Sequence, residues 1–139
     1  MVGCQMCNKW TKDADLQIAE LKHTYVTLNR DQFFPGYCFV YTKEHVTELF
    51  YLSPEIRCTV MNEVANVAEA LFMAFHPQKI NYELLGNMVP HMHWHVVPRF
   101  TSDPLWPHPI WSKPHDPVTL PAEKYASQIA LIQSVLRLP

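Results

Sequence analysis

The amino-acid sequence predicts an α+β fold with an antiparallel sheet, on three observations. One long apolar stripe at helical spacing occupies residues 54–75, strand-like runs stand in pairs on either side of it, and a second helical stripe closes the chain.

Taken in order, residues 1–15 carry CQMC and then mostly polar residues, and read as irregular with one turn at most. Residues 23–28 (HTYVTL) and 37–42 (YCFVYT) are β-branched and aromatic, and pair as antiparallel neighbours. Asn29-Arg30-Asp31-Gln32 and Pro35-Gly36 mark the connection between them. Ser53-Pro54-Glu55 is a helix start, with a hydroxyl at the N-cap, proline in the first turn and an acid beside it. Ile56, Val60, Val64, Val67, Leu71 and Phe75 then recur every three or four residues, and His76-Pro77 ends the helix. Residues 79–85 read as a strand that Gly86-Asn87 breaks, and residues 90–99 as another. Residues 101–119 hold DPLWPHPIWSKPHDP, too rich in proline for regular structure. Residues 120–138 form the closing helix, with Tyr125, Ile129, Ile132 and Leu136 on one face. There is no internal repeat, and residues 1–139 read as a single domain.

Apolar residues make up 48% of the 139 residues and charged ones 17%, a globular composition. The net charge of −2 argues against nucleic-acid polymers and anionic membranes as partners, and leaves a nucleotide-sized ligand open. No apolar run resembles a signal peptide or a membrane span, so the expected location is the cytoplasm. In that reducing compartment Cys4, Cys7, Cys38 and Cys58 are not a disulfide framework. Cys38, inside CFVY, reads as a small core residue and Cys58 as a helix-face residue.

The chemistry concentrates in residues 87–98, NMVPHMHWHVVP. His91, His93 and His95 fall on one side of a strand, and Met92, Trp94 and Val96 on the other. A half-buried strand ordinarily presents Thr, Ser or charges on its wet face. Two of these imidazoles could hold a metal, but the first acid after them is Asp103. The alternative is phosphorus chemistry without a metal: imidazole is nucleophilic when neutral and a proton donor when charged. Such transfer rests mainly on positioning and charge stabilisation.

His91-Met92-His93-Trp94-His95-Val96-Val97 resembles the histidine triad motif of the HIT superfamily, H-φ-H-φ-H-φ-φ. LNRDQFFPGYCFVYTKEHVTEL, LSPE and INYELLGNMVPHMHWHVVPRF extend the resemblance over roughly residues 4–112, toward a bacterial branch described as diadenosine polyphosphate hydrolase-like. The resemblance implies a HIT-like fold with a five-stranded antiparallel sheet, one long central helix and a C-terminal helix, and a homodimer with a continuous ten-stranded sheet. It implies a nucleotide hydrolase or nucleotidyl transferase that attacks the α-phosphate of dinucleoside polyphosphates or nucleoside phosphoramidates. His93 is then the nucleophile that carries the nucleotide, His95 contacts the phosphate and the leaving oxygen, and His91 supports the ring of His93. Asn81 and Asn87 match polar positions near the phosphates, and Asn29 the position that holds the ribose hydroxyls, usually an acid. Tyr37 stands where many members have a further histidine. Uridylyl transfer between sugar phosphates fits less well, because that branch has proline where this chain has Met92 and Trp94. A nucleotide-binding or interaction protein with little turnover is the competing class.

Cys4-Gln5-Met6-Cys7 has the spacing of half a tetrahedral zinc site, and with no second such pair the other ligands would have to be histidines; a redox pair is the other reading. The resemblance supplies the full set for a structural zinc, Cys4, Cys7, His45 and His91, with no cofactor needed for catalysis. His23, His76, His108 and His115 read as surface residues. Trp106 and Trp111 either cap the core or stand near the base or leaving group, in this chain or in a partner subunit.

Overall fold

The computed structural model describes residues 3–137. Five extended segments, β1 (Gln17–Glu20), β2 (Thr24–Leu28), β3 (Cys38–Thr42), β4 (Lys79–Leu84) and β5 (His93–Arg99), pair antiparallel throughout in the order β1-β2-β3-β5-β4. Among the described residues three α-helices accompany them: α1 (Gln5–Lys12), α2 (Pro54–Phe75) and α3 (Ala122–Val135). The α+β class and the five-stranded antiparallel sheet are as expected.

Helix α2 has the expected bounds. The Ser53 hydroxyl accepts from the Ile56 N–H at 3.3 Å, Pro54 opens the first turn, and His76 closes the helix in the left-handed conformation (φ 53°). Its Val60, Val64, Val67 and Leu71 are buried against one face of the sheet, where Met92, Trp94 and Val96 point. Tyr125, Ile129 and Ile132 of α3 join the same core. The closing helix is shorter than the expected 120–138: Pro121 is its N-cap, Leu136 its C-cap, and residue 138 lies outside the described residues.

Two elements differ from the sequence reading. Residues 5–12, expected to be irregular, form α1. A helix of eight residues is marginal alone, and this one is held by burial of Met6 and by Trp10, whose ring stacks on Tyr25 at 4.5 Å. Lys9 and Lys12 in its last turn suit the negative end of the helix dipole. The second is β1, which the sequence reading lacked. Only Ile18 in QIAE favours a strand, and it becomes one by pairing with β2 through a tight connection closed by Leu21 N–H to Thr24 O (2.8 Å). Strand β5 also starts at His93 and not at residue 90, because the backbone before it bonds elsewhere: His91 N–H to Val89 O and Met92 N–H to Val46 O, both 2.8 Å.

The other face of the sheet carries the histidines. In register, Phe39 lies opposite His95 and Tyr41 opposite His93 on β3, while Glu83 lies opposite His95 on β4. This face has its own small core of Phe34, Tyr37, Val97, Leu105 and Ile110. Residues 101–119, without helix or strand as expected, reach over it through Leu105 and Ile110. Gly36, at φ +86°, makes the turn into β3; a Cβ there would meet the Phe75 ring at 2.9 Å. That turn delivers Tyr37 to the histidine face.

Candidate active site

The alternation of β5 puts His93 and His95 side by side, ring centroids 5.0 Å apart, each about 6% exposed. They form the base of a hollow of about 220 Å3 whose rim includes Leu85, Asn87, Met88 and Trp111. Their protonation follows from their partners. His93 Nδ1 is 2.6 Å from the backbone carbonyl of His91. A carbonyl only accepts, so Nδ1 carries the proton and the neutral ring keeps Nε2 bare. His91 is arranged the other way round: its Nε2 donates to the Thr42 carbonyl at 2.7 Å, and Nδ1 is left bare.

That bare Nδ1 lies 3.5 Å from both Cys4 Sγ and Cys7 Sγ, and Cys7 Sγ lies 3.4 Å from His45 Nδ1. All four candidate ligand atoms fall within 4.8 Å of one another. A tetrahedral ion with bonds of about 2.1 Å to nitrogen and about 2.3 Å to sulfur sets its ligands roughly 3.4–3.8 Å apart, so the donor set fits structural zinc. The Thr42 carbonyl holds the His91 ring as an outer partner should. Burial raises the Cys4 thiol, but the amides of Cys7 and Met6 at the open end of α1 and the Cys7 side chain outweigh it, and the thiol ionises below its usual value. The four ligands come from α1, the loop after β3 and the approach to β5, so an ion here would tie the N-terminal segment to the histidine strand.

His95 is closely packed where it does not face the hollow. The Tyr37 hydroxyl lies 2.5 Å from its Nδ1, the Phe39 ring 5.3 Å away, and the Trp111 ring meets it edge-on at 5.2 Å. The Trp111 indole N–H donates to Glu83, which fixes the ring over the histidine. Burial, with the charge on His93 second, pushes His95 down to about 4. A depression from 6.5 to about 4 corresponds to on the order of 3 kcal/mol between the two protonation states. The unfolded chain binds this proton first, so stability should be level above about pH 6.5 and fall as pH drops toward 4. His91, lowered mainly by burial, acts with the same sign. Urea unfolding of wild type and His95→Gln from pH 8 to pH 4.5 checks this: the fall should be smaller in the variant, and equal slopes would remove His95 as its source.

The other expected site residues are placed variously. Asn87 is on the rim of the hollow. Asn81 accepts from Arg99 Nη1 at 2.8 Å and belongs to a buried pair in which Arg99 Nε meets Asp103 at 2.6 Å. Asn29 uses its Oδ1 to accept the Asp31 N–H at 3.2 Å. Neither lines the hollow. Cys38 is buried and Cys58 exposed. His76 and His108 are exposed and His23 is half-buried. His115, expected on the surface, is half-buried instead: its Nε2 bonds Asp31 at 2.8 Å and its ring stacks on Phe33 at 3.9 Å, fastening the chain after residue 114 to the β2–β3 connection. Trp106 is half-buried, whereas Trp111 stands over His95 of its own chain. The sequence reading missed Glu83 and Arg99. Arg99 had a signal, since it continues the alternate row 91, 93, 95, 97, 99 on the histidine face.

Comparison with known proteins agrees with this geometry. The HIT domain family matches residues 11–102. A histidine triad (HIT) protein from Sinorhizobium meliloti 1021 is similar at 28% identity and a TM-score of 0.84, covering 98% of this chain and 99% of that one. A histidine triad protein from Marinobacter aquaeolei VT8 is 31% identical with a TM-score of 0.80, over 88% of this chain and 90% of that one. A zinc-bound histidine triad family protein from Mycobacterium smegmatis is 26% identical with a TM-score of 0.67, over 96% and 93%. No curated protein matches. With a triad row that runs into the inner strand β5 of a five-stranded sheet and a family match across about two-thirds of its length, the chain belongs to the HIT domain family.

Proposed function

We propose that the protein is a nucleotide hydrolase or nucleotidyl transferase that works through a covalent nucleotidyl-His93. HIT-family proteins are often nucleotide hydrolases and some are non-catalytic, so the fold alone supports nucleotide chemistry in general. The observation that carries the finer reading is the bond from His93 Nδ1 to the His91 carbonyl, which leaves a bare Nε2 at the hollow with His95 beside it. The attack forms a bond from Nε2 to the α-phosphorus and breaks the bond to the leaving group; water then returns His93 to its resting form. His91 supports the His93 ring through its carbonyl. Asn87 reaches the phosphates from the rim; for Asn81 and Asn29 the phosphate and ribose roles rest on the resemblance alone, since Asn81 is engaged by Arg99, Asn29 by the Asp31 N–H, and neither lines the hollow.

The substrates we propose are dinucleoside polyphosphates or nucleoside phosphoramidates, the first as in the diadenosine polyphosphate hydrolase-like branch. Cys4, Cys7, His45 and His91 hold a structural zinc that takes no part in the reaction. The assembly is a homodimer joined along β4, an edge strand with Tyr82 and, just beyond its end, Leu85 exposed. Among the described residues no helix is long and apolar enough to cross a membrane, and we place the protein in the cytoplasm. Nucleotide binding with little turnover is the second reading, favoured by Tyr37, a neutral phenol against His95.

A panel of adenosine and guanosine polyphosphates and phosphoramidates, with products identified by mass spectrometry, tests the activity. Release of a mononucleotide from one class is the expected result; saturable binding with no product supports the second reading. Light scattering should give a mass near twice 16.2 kDa, and a clean monomer at micromolar concentration would contradict the dimer.

A further inference from the structure

Tyr37 is 6% exposed, and among the described residues its hydroxyl makes one hydrogen bond, to His95 Nδ1 at 2.5 Å. A buried hydroxyl needs an acceptor for its proton, and Nδ1 is the acceptor within reach. Nδ1 is therefore unprotonated, and the neutral His95 ring carries its proton on Nε2. His93 is fixed in the opposite tautomer by the His91 carbonyl. The two neighbouring rings thus offer the hollow a bare nitrogen and an N–H, each set by a partner behind it.

We propose that Tyr37 is a positioning residue that holds His95 as a neutral Nε2–H donor, so that the reaction takes leaving groups that depart as anions without being protonated. This rests on the nucleotidyl-transfer reading and decides between its two substrate classes. In the first step the bare Nε2 of His93 attacks phosphorus, the P–N bond forms, and the P–O bond breaks with its electron pair moving to the leaving oxygen. The His95 N–H hydrogen-bonds that oxygen and keeps its proton. In the second step water adds hydroxyl to phosphorus, the P–N pair returns to His93, and the water's other proton goes to solvent. An anhydride suits this scheme, because a phosphate or carboxylate leaves as a stable anion. A phosphoramidate does not, because an amine must gain a proton as it leaves.

The surroundings oppose a relay that would supply the proton. If His95 gave up its Nε2 proton and took one from Tyr37, a buried phenolate would remain. Burial pushes the Tyr37 hydroxyl up, and the charges of Glu83 and Asp31 push the same way. The groups around His95 are Tyr37, Phe39, Trp111 and His93, with Glu83 engaged by the Trp111 indole.

Two measurements test the proposal. Nitrogen-15 NMR of histidine-labelled wild type, with His95→Gln for assignment, should show His95 protonated on Nε2 and bare on Nδ1; the reverse tautomer overturns the proposal whatever the activity. Rates are then compared for a phosphoric anhydride and a phosphoramidate of one nucleoside. Wild type should favour the anhydride by at least ~10²-fold, the low end of what general-acid assistance is worth. Tyr37→Phe should lower kcat for the anhydride by about 10-fold or more at unchanged KM, as for a loosened hydrogen-bond donor, and narrow the anhydride preference as pH falls, because the freed Nδ1 can take a proton and the charged ring can give one to a departing amine. Tyr37→His should narrow the preference by adding a group that can carry charge. Equal turnover of both substrates by wild type overturns the leaving-group inference. A Tyr37→Phe enzyme with unchanged pH profile and preference reduces Tyr37 to packing. If wild type turns over neither substrate, the functional reading fails and the leaving-group inference with it, while the NMR result still decides what Tyr37 does to His95.

Discussion

His93→Ala should lose essentially all turnover, on the order of 10³-fold or more, while still binding nucleotide. The reason is that in the proposed mechanism the lost group acts in the transition state: there Nε2 makes a covalent bond to phosphorus, against only a loose contact in the bound substrate. His95→Ala keeps the nucleophile and loses the donor, so it should retain more activity and suffer most with basic leaving groups. His93 is buried, so the truncation leaves a space and costs some stability, but the side chain opens onto the hollow and the fold should survive. Melting curves recorded with the kinetics separate the two effects. A His93→Ala protein with near wild-type turnover would remove the nucleophile and the enzyme reading with it.

Protein purified without chelators or a metal-affinity tag should contain about one zinc per chain, and stripping it should destabilise the fold. Binding at a thousand times the dissociation constant stabilises by about 4 kcal/mol, which for a chain of this size is a shift of roughly 15 °C in Tm. Serine at Cys7 should lower Tm by a similar amount and cut zinc content, because Cys7 lies against both His45 and His91. Catalysis should survive chelation at temperatures where the fold does, since His93 and His95 are not among the four ligands. Zinc below a tenth of an equivalent would contradict the assignment.

The legibility of the molecule from its sequence divides along local and non-local lines. Helix α2 was readable to its ends because every signal is local: the Ser53 cap, Pro54, the valine stripe, and His76-Pro77 as a stop. The histidine row was readable because a strand has a period of two, and the same rule would have included Arg99. Helix α1 and β1 were not readable, because Trp10 gains its helix by stacking on Tyr25 and Ile18 its strand by pairing with β2. Half of the Cys/His cluster was written in the spacing of Cys4 and Cys7; His45 and His91 came from resemblance, and the fold brings all four candidate ligand atoms together. The groups that set the chemistry of His95 were the least legible. Tyr37 is 58 residues away from it, and Trp111 reaches Glu83 across 28 residues. His115 is 84 residues from Asp31, and no local pattern distinguishes it from an exposed histidine.

The central claim is that the reaction passes through a nucleotide bonded to His93. Its most direct measurement is to mix wild-type protein with a nucleotide substrate, quench within one turnover, digest, and examine the peptide containing residues 87–98 by mass spectrometry under conditions that spare phosphorus–nitrogen bonds. The account predicts an acid-labile adduct with the mass of one nucleoside monophosphate, located at His93 and missing from His93→Ala. Turnover with no adduct on that peptide, or with the adduct on another residue, would contradict it.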